Sequence, residues 1–319
     1  MKKFILAMGM LSLAAVPAFS QEAYPAQPVT LVVPYAPGGT ADLLARSLGK
    51  AISADTGKSV VVDNRPGGAT VIGAQAVLGK PADGYAALVS AASFVINPHL
   101  MKLPFDPAKD FQPVTLLASN PHVLVVSAKV PANTLSEFID WARNKQGAAT
   151  FSSFGNGSSG HVGFEILKQL AKLDMTHVAY KGAAPSTLAV LSGEVDATLG
   201  DIGIVAQHIK SGKVKAIAIT GDKRSAVLPD VPTFAEAKLP QYSSQTWIGL
   251  WVRSDVPADR VKKLNELLAR ALQNPETQKL LADQGMQARP MSSDQFKAFT
   301  QAESERYQAA IKKADIKLQ

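Results

Sequence analysis

Short runs of β-branched and other apolar residues alternate along the chain with longer stretches in which apolar positions recur every three or four residues. The first pattern predicts strands and the second helices. From the amino end these are a strand at 29–33, a helix at 41–55 closed by Gly57, a strand at 60–63, a helix at 71–78 and a strand at 86–90. A second series has strands at 123–126, 150–153, 176–180, 197–199 and 215–220, with helices at 135–145, 162–170, 184–191 and 202–210. Thr134 opens the 135–145 helix, and Glu137 three residues on completes a capping-box pattern. After a proline-rich stretch at 228–240, a strand at 246–252 precedes helical segments at 258–273, 275–284 and 293–313. Such alternation is the mark of parallel βαβ units, and its repetition predicts an α/β chain with two lobes of similar build.

Three strand-to-helix turns concentrate small and polar residues. The first is Tyr35-Ala36-Pro37-Gly38-Gly39-Thr40-Ala41-Asp42. The second runs from Ser152 and Ser153 through Phe154-Gly155-Asn156-Gly157-Ser158-Ser159-Gly160-His161, and the third is Tyr180-Lys181-Gly182-Ala183-Ala184-Pro185-Ser186. A helix opening onto a glycine turn offers unpaired backbone N–H groups and the positive end of its dipole, and glycine lets an anion approach the main chain. In parallel sheets such turns lie at the carboxyl ends of the strands, where ligands bind. With the first turn in one lobe and the others in the second, they would face each other across a cleft. Each turn alone is equally well read as tight-turn glycines with Thr40, Asp42 or Ser158 capping a helix. The three together favour a binding site.

Composition narrows the ligand and the compartment. The first twenty residues carry Lys2 and Lys3, an apolar run from 4 to 16, and small residues at Ala18 and Ser20, which reads as an export leader cut before Gln21. That run is shorter than the roughly 20 residues of a membrane span, and no later stretch is long enough, so the mature chain is expected to be soluble. Removing the leader from 319 residues leaves 299, enough for two lobes. Taking Lys2 and Lys3 from the 33 basic residues leaves 31 against 26 acids, a net charge of about +5. The basic residues are dispersed rather than gathered in a stripe, which argues against nucleic acid. There is no cysteine, so neither a disulfide scaffold nor a thiol nucleophile is available.

Over essentially the whole chain after the leader, the sequence resembles the Bug receptors, the TctC-like periplasmic solute-binding components of tripartite tricarboxylate transporters. The matching stretches are YPAQPVTLVVPYAPGGTAD at 24–42, VVDNRPGG at 61–68, PADGY at 81–85, INPHL at 96–100, GNGSSGH at 155–161, YKGAAP at 180–185 and LPDVPTFAEA at 228–237. The resemblance implies an α/β, two-lobed periplasmic-binding-protein fold, a Venus flytrap of the type II kind. Lobe 1 would comprise 21–118 and 228–319, and lobe 2 would comprise 119–227. A small carboxylate (a dicarboxylate, tricarboxylate, acidic amino acid or aromatic acid) would be captured by hinge closure and passed to membrane permease subunits. A periplasmic monomer with no cofactor, no metal and no catalytic residue is expected.

Position by position, the resemblance makes Tyr35 an aromatic wall, Gly38, Gly39 and Thr40 the first-lobe anion turn, and Asp42 the acid opening the first helix. Asn156, Gly157, Ser158 and Ser159 match the second-lobe turn, with Ser153 and His161 flanking it. Tyr180, Lys181, Gly182 and Ala183 match a segment beside the cleft, and Asp201 falls where relatives place an acid after a strand. The chain departs from the common pattern at Ala69-Thr70, where more glycine is usual, and at Leu199-Gly200, where an aromatic often precedes the acid.

Physical chemistry weighs these roles. Asp42 beside an anion would repel it unless its charge is spent on nearby N–H groups or on a ligand amine, so capping is expected. Lys181 follows a strand and points to water, and an exposed ion pair contributes only about 0–1 kcal/mol, so its main chain matters more than its ammonium. His161 heads a helix and orients the turn or is simply a satisfied structural histidine. Trp247 and Tyr35 could stack on an aromatic acid, although core packing suits Trp247 in its apolar run. The rival reading is an exported hydrolase or a nucleotide-cofactor enzyme using the 155–160 loop, which formally fits G-x-G-x-x-G. It lacks the acid that should end the next strand, since that strand ends Tyr180-Lys181. Ser159 has Gly157 before it but His161 after it, an incomplete nucleophile elbow, and the five histidines show no H-E-x-x-H spacing.

Overall fold

The structure, a computed structural model, describes residues 24–316, so the leader at 1–20 lies outside the described residues. In chain order the elements are β1 (Val29–Val33), α1 (Thr40–Thr56), β2 (Val60–Asn64), α2 (Val71–Leu78), β3 (Ala86–Ala91), α3 (Ser93–Ile96), α4 (Pro107–Asp110) and β4 (Phe111–Ser127). The second series is α5 (Leu135–Asn144), β5 (Ala149–Ser153), α6 (Ser159–Ala171), β6 (Met175–Ala179), α7 (Ala183–Ser192), β7 (Ala197–Asp201), α8 (Ile202–Lys210) and β8 (Val214–Ile219). The chain ends with β9 (Gln245–Arg253), α9 (Ala258–Leu272), α10 (Pro275–Asp283), β10 (Gln287–Ala288) and α11 (Ser293–Ala314).

The strands run in the order β2-β1-β3-β9-β4-β7-β5-β6, with β10 and β8 also on β4. β4 serves two sheets. Its first part pairs antiparallel with β9, from Phe111 opposite Arg253 to Pro121 opposite Gln245. Its second part pairs with β7, from His122 opposite Asp201 to Val126 opposite Ala197, and with β8 on the other side. The handover between Pro121 and His122 marks where β4 passes from one sheet of this α/β molecule to the other. Only 123–126 of β4 is legible in the sequence, because Pro113 and Pro121 interrupt the earlier part. A strand tolerates proline at irregularities, and the register with β9 shifts between Pro113 and Thr115.

Each sheet has its own core. α1 turns Leu44, Leu48 and Ile52 onto Leu31, Leu250 and Leu268, all buried. Truncating Leu48 to Ala would cost about 2–5 kcal/mol. In the second lobe, Phe138 of α5 and Phe164 of α6 cover Phe151 and Leu199. The rings of Phe151 and Phe164 stack at 4.0 Å. Residues 228–244, grouped with the first lobe from sequence, pack on the second sheet, because Phe234, Leu239 and Tyr242 belong to that same core. α6 also reaches the first lobe, where Val162 packs among Trp247, Phe296 and Tyr307. The 135–145 capping box is altered by one residue: Thr134 Oγ1 accepts the Glu137 N–H at 3.2 Å, while Glu137 Oε2 accepts from Asn133 N–H rather than from Thr134.

Candidate functional site

β1 lies between parallel β2 and β3, and β5 lies between parallel β6 and β7. The chain leaves β1 toward β2 and later returns on its other side, and it does the same around β5. Both strands are therefore topological switch points, where helices diverge to open a crevice at the carboxyl ends. The turns that follow them are the first and second glycine turns.

The first turn is held open by its acid. Asp42, 2% exposed, accepts the Gly38 N–H at 2.9 Å and Arg46 Nε at 3.1 Å through Oδ2. Burial raises the Asp42 pKa, but the Arg46 and Gly38 hydrogen bonds outweigh it and hold the carboxyl below its usual range. The helix cap is Gly39, not Thr40, and α1 has no side-chain cap. The amides of its first turn thus receive no side-chain cap. A Cβ on Gly39 would meet only Ala36 O at 3.7 Å, and one on Gly38, at φ +84°, would meet nothing within 4 Å. The Tyr35 hydroxyl lies 2.8 Å from Ser93 Oγ and accepts the Ala91 N–H at 3.0 Å, tying this turn to the start of α3.

In the second turn, Ser158 Oγ caps α6 by accepting the His161 N–H at 3.2 Å, and His161 Nδ1 accepts the Gly157 N–H at 3.2 Å. His161 stacks on His177 with ring centroids 3.9 Å apart. His177 Nε2 is 2.7 Å from Ser153 Oγ, which also accepts the Gly155 N–H. Burial holds the two imidazoles down, His161 to about 3 and His177 to about 4. Ser153 and His161 therefore stiffen the loop from behind, while Asn156 is exposed and Ser159 heads the helix. The third turn abuts the second. The Tyr180 N–H donates to Ser153 O at 3.1 Å, and a Cβ on Gly155 would stand 3.3 Å from Tyr180 O. The Tyr180 hydroxyl is directed to Glu194 at 2.9 Å, Lys181 is exposed, and Gly182 at φ +121° leaves α7, which begins at Ala183, without a side-chain cap.

The two lobes touch at a residue the sequence reading left unassigned. Asn97, just past α3 and 1% exposed, donates from Nδ2 to Ala69 O at 2.6 Å, and its Oδ1 sits 2.5 Å from where a Cβ on Gly157 would be. Ala69 and Thr70 hold φ of 50° and 80°, in the left-handed region that glycine enters most easily. Tyr35, Ser93, Asn97 and Gly157 thus form a continuous link from first turn to second.

Beneath this lies the strand crossing. Asp201 ends β7 and is 7% exposed, and its Oδ1 accepts the Thr246 hydroxyl at 2.8 Å. His122, fully buried, lies between Ser244 Oγ and Thr246 Oγ1, each at 2.8 Å. Thr246 Oγ1 is also 3.5 Å from Ser159 Oγ at the second turn. Burial raises Asp201 to about 6 despite the Thr246 and Asn120 hydrogen bonds. Trp247, by contrast, is fully buried and donates to Glu303 at 3.0 Å, so it is core rather than cleft. Asn97, Asn120, His122 and Thr246 were missed from sequence. The available signal was a lone His122 ahead of an apolar run and an Asn97 inside the INPHL match. Among the described residues no group of three or more His, Asp or Glu could hold a metal ion.

Comparison with known proteins agrees with this architecture. The family model described as tripartite tricarboxylate transporter family receptor matches residues 44–316. Protein BugT of Bordetella pertussis is 31% identical over 302 residues, covering 94% of this chain and 93% of its own. Two solved structures are also similar. R. palustris Rpa4515 with adipate has a TM-score of 0.85 and 31% identity, covering 92% of this chain and 99% of its own. MatC (Rpa3494) from Rhodopseudomonas palustris with bound malate has a TM-score of 0.81 and 30% identity, covering 90% of this chain and 100% of its own. With a two-lobed binding-protein fold and a family match across most of its length, the chain belongs to the receptor family of the tripartite tricarboxylate transporters.

Proposed function

We propose that the mature chain is a periplasmic receptor that closes on a small carboxylate and delivers it to the permease subunits of a tripartite tricarboxylate transporter. The observation that carries this reading is the pairing of two switch-point turns, after β1 and β5, across one interlobe contact at Asn97 and Gly157. We place the lobe boundaries at the strand crossing, with the second lobe running from about 122 to 244. Charge-assisted hydrogen bonds contribute roughly 1.5–3 kcal/mol each, whereas micromolar affinity needs about 8 kcal/mol beyond an association cost of about 4–15. One turn cannot supply that. Donors from both lobes, with water excluded between them, can.

The same features argue against catalysis. Ser159 Oγ has Thr246 Oγ1 as its neighbour, and His161 Nδ1 is occupied by the Gly157 amide, so neither builds a nucleophile and base pair. The relatives with bound adipate and malate support a dicarboxylate ligand. The test is a thermal-shift panel of di- and tricarboxylates, acidic amino acids and aromatic acids on the mature chain. A ligand at a hundredfold excess over its Kd stabilises the native state by about 2.7 kcal/mol. No shift with any acid would refute the reading.

A further inference from the structure

Asp201 precedes α8 but does not cap it; its carboxylate turns instead toward Thr246. Because Thr246 spends its proton on Asp201, the hydrogen between His122 and Thr246 belongs to Nε2, and Nδ1 accepts from Ser244. The ring in this arrangement is neutral, and burial holds its pKa down to about 3. Arg306 of α11, whose charge is felt at His122, is bonded to Glu303 and to the Ser243 carbonyl. Asp201 therefore sits in a network of hydroxyls, an amide and a neutral imidazole. Asn120, 2% exposed, also bonds to Asp201, and its Oδ1 has no hydrogen-bond partner among the described residues. Asn120 Oδ1 is thus a buried acceptor without a donor, next to a carboxylate that Thr246 links to Ser159 in the second anion turn.

Resting on the receptor reading, we propose that Asp201, with Asn120 Oδ1 beside it, is the specificity-determining residue of the cleft and selects acids carrying a hydroxyl or ammonium group beside the anchored carboxylate. A plain diacid brings no hydrogen to Asn120 Oδ1 or to the carboxylate beside it. A 2-hydroxy or 2-amino acid brings the missing hydrogen. A site built to bond a ligand O–H or N–H rejects the analogue lacking it, because its own polar groups are left unpaired.

The test is calorimetry at pH 7.5 on matched series: succinate, malate and aspartate; glutarate, 2-hydroxyglutarate and glutamate; adipate and 2-aminoadipate. In the series that binds, the hydroxy or amino member is expected to bind at least about tenfold more tightly than the plain diacid. Asp201→Asn, which keeps shape and one acceptor, narrows that ratio toward one. Equal affinities in the wild type, or an unchanged ratio in Asp201→Asn, overturn the inference while leaving the receptor reading intact. Silence from every acid overturns the receptor reading itself. If the variant does not fold, Asn120→Ala serves instead: it removes the neighbouring acceptor, so the ratio narrows, and a ratio that stays fixed overturns the inference.

Discussion

Gly157 and Asn97 meet so closely that a Cβ at position 157 would stand 2.5 Å from Asn97 Oδ1. The glycine turn of one lobe and the α3 corner of the other touch through a position that admits no side chain. Gly157→Ala therefore suffers twice, once from its φ of +72° and once from the collision. The left-handed conformation alone costs about 1–2 kcal/mol. We expect a lower melting temperature and weaker carboxylate binding. Adding Asn97→Ala should restore part of the affinity, and a double-mutant cycle with no coupling would contradict the contact.

Gly38 and Gly39 separate folding from binding. Gly39 has φ −78° and ψ 165°, which valine adopts readily, and open space around it. Gly39→Val is expected to change stability by no more than about 0.5 kcal/mol. Affinity should fall at least tenfold, because on the proposed reading the side chain stands where the main chain meets the ligand. Gly38→Val, at φ +84°, should lose stability as well. Paired melting and titration curves check both, and unchanged affinity in Gly39→Val would remove this turn from the site.

Asp42 predicts an acid-side effect. Its pKa is lowered in the folded chain, so its stabilisation is complete above the unfolded value near 3.9 and fades as pH falls below it. Asp42→Ala should cost about 0.5–1.5 kcal/mol at neutral pH by removing the bonds to the Gly38 amide and Arg46, both of which water can reach. Asp42→Asn should retain most of the fold and flatten the pH dependence below about 4. Binding of a plain dicarboxylate should survive in the Asn variant if the acid only shapes the turn.

The stacked histidines act in a higher window. Both are held below the unfolded imidazole value near 6.5, so stability is full above that value and drains as pH drops toward about 4 for His177 and about 3 for His161. His177→Asn removes one titrating ring along with its stacks on His161 and Phe151. The expected outcome is a loss of about 0.5–1.5 kcal/mol at pH 7.5 for each stack removed and a shallower decline in melting temperature between pH 6.5 and 4. An unaltered slope would show that the pair does not titrate on unfolding.

The order of strands and helices was legible in the sequence because local hydrophobic period dictates it. The helix at 71–78 and the βα turns after β1 and β5 fall where periodicity and glycine placed them. What was hidden depends on tertiary contact. The first part of β4 carries Pro113 and Pro121, which read as breakers until β9 pairs around the irregularities. Residues 228–244 look like a proline-rich linker, and only the second-lobe core shows where Phe234 and Tyr242 belong. Asn97 acquires a role through residues 28 and 60 positions away, Ala69 and Gly157, and no local pattern announces such a meeting.

The passage of β4 through both sheets bears on how this gene can be cut. A break anywhere in codons 111–127 would strip an interior strand from whichever fragment loses it, leaving β9 and β10 on one side, or β7 and β8 on the other, without their shared neighbour. Neither fragment is a self-sufficient folding unit, so reporter insertions and split-protein sensors belong in surface loops away from this rod.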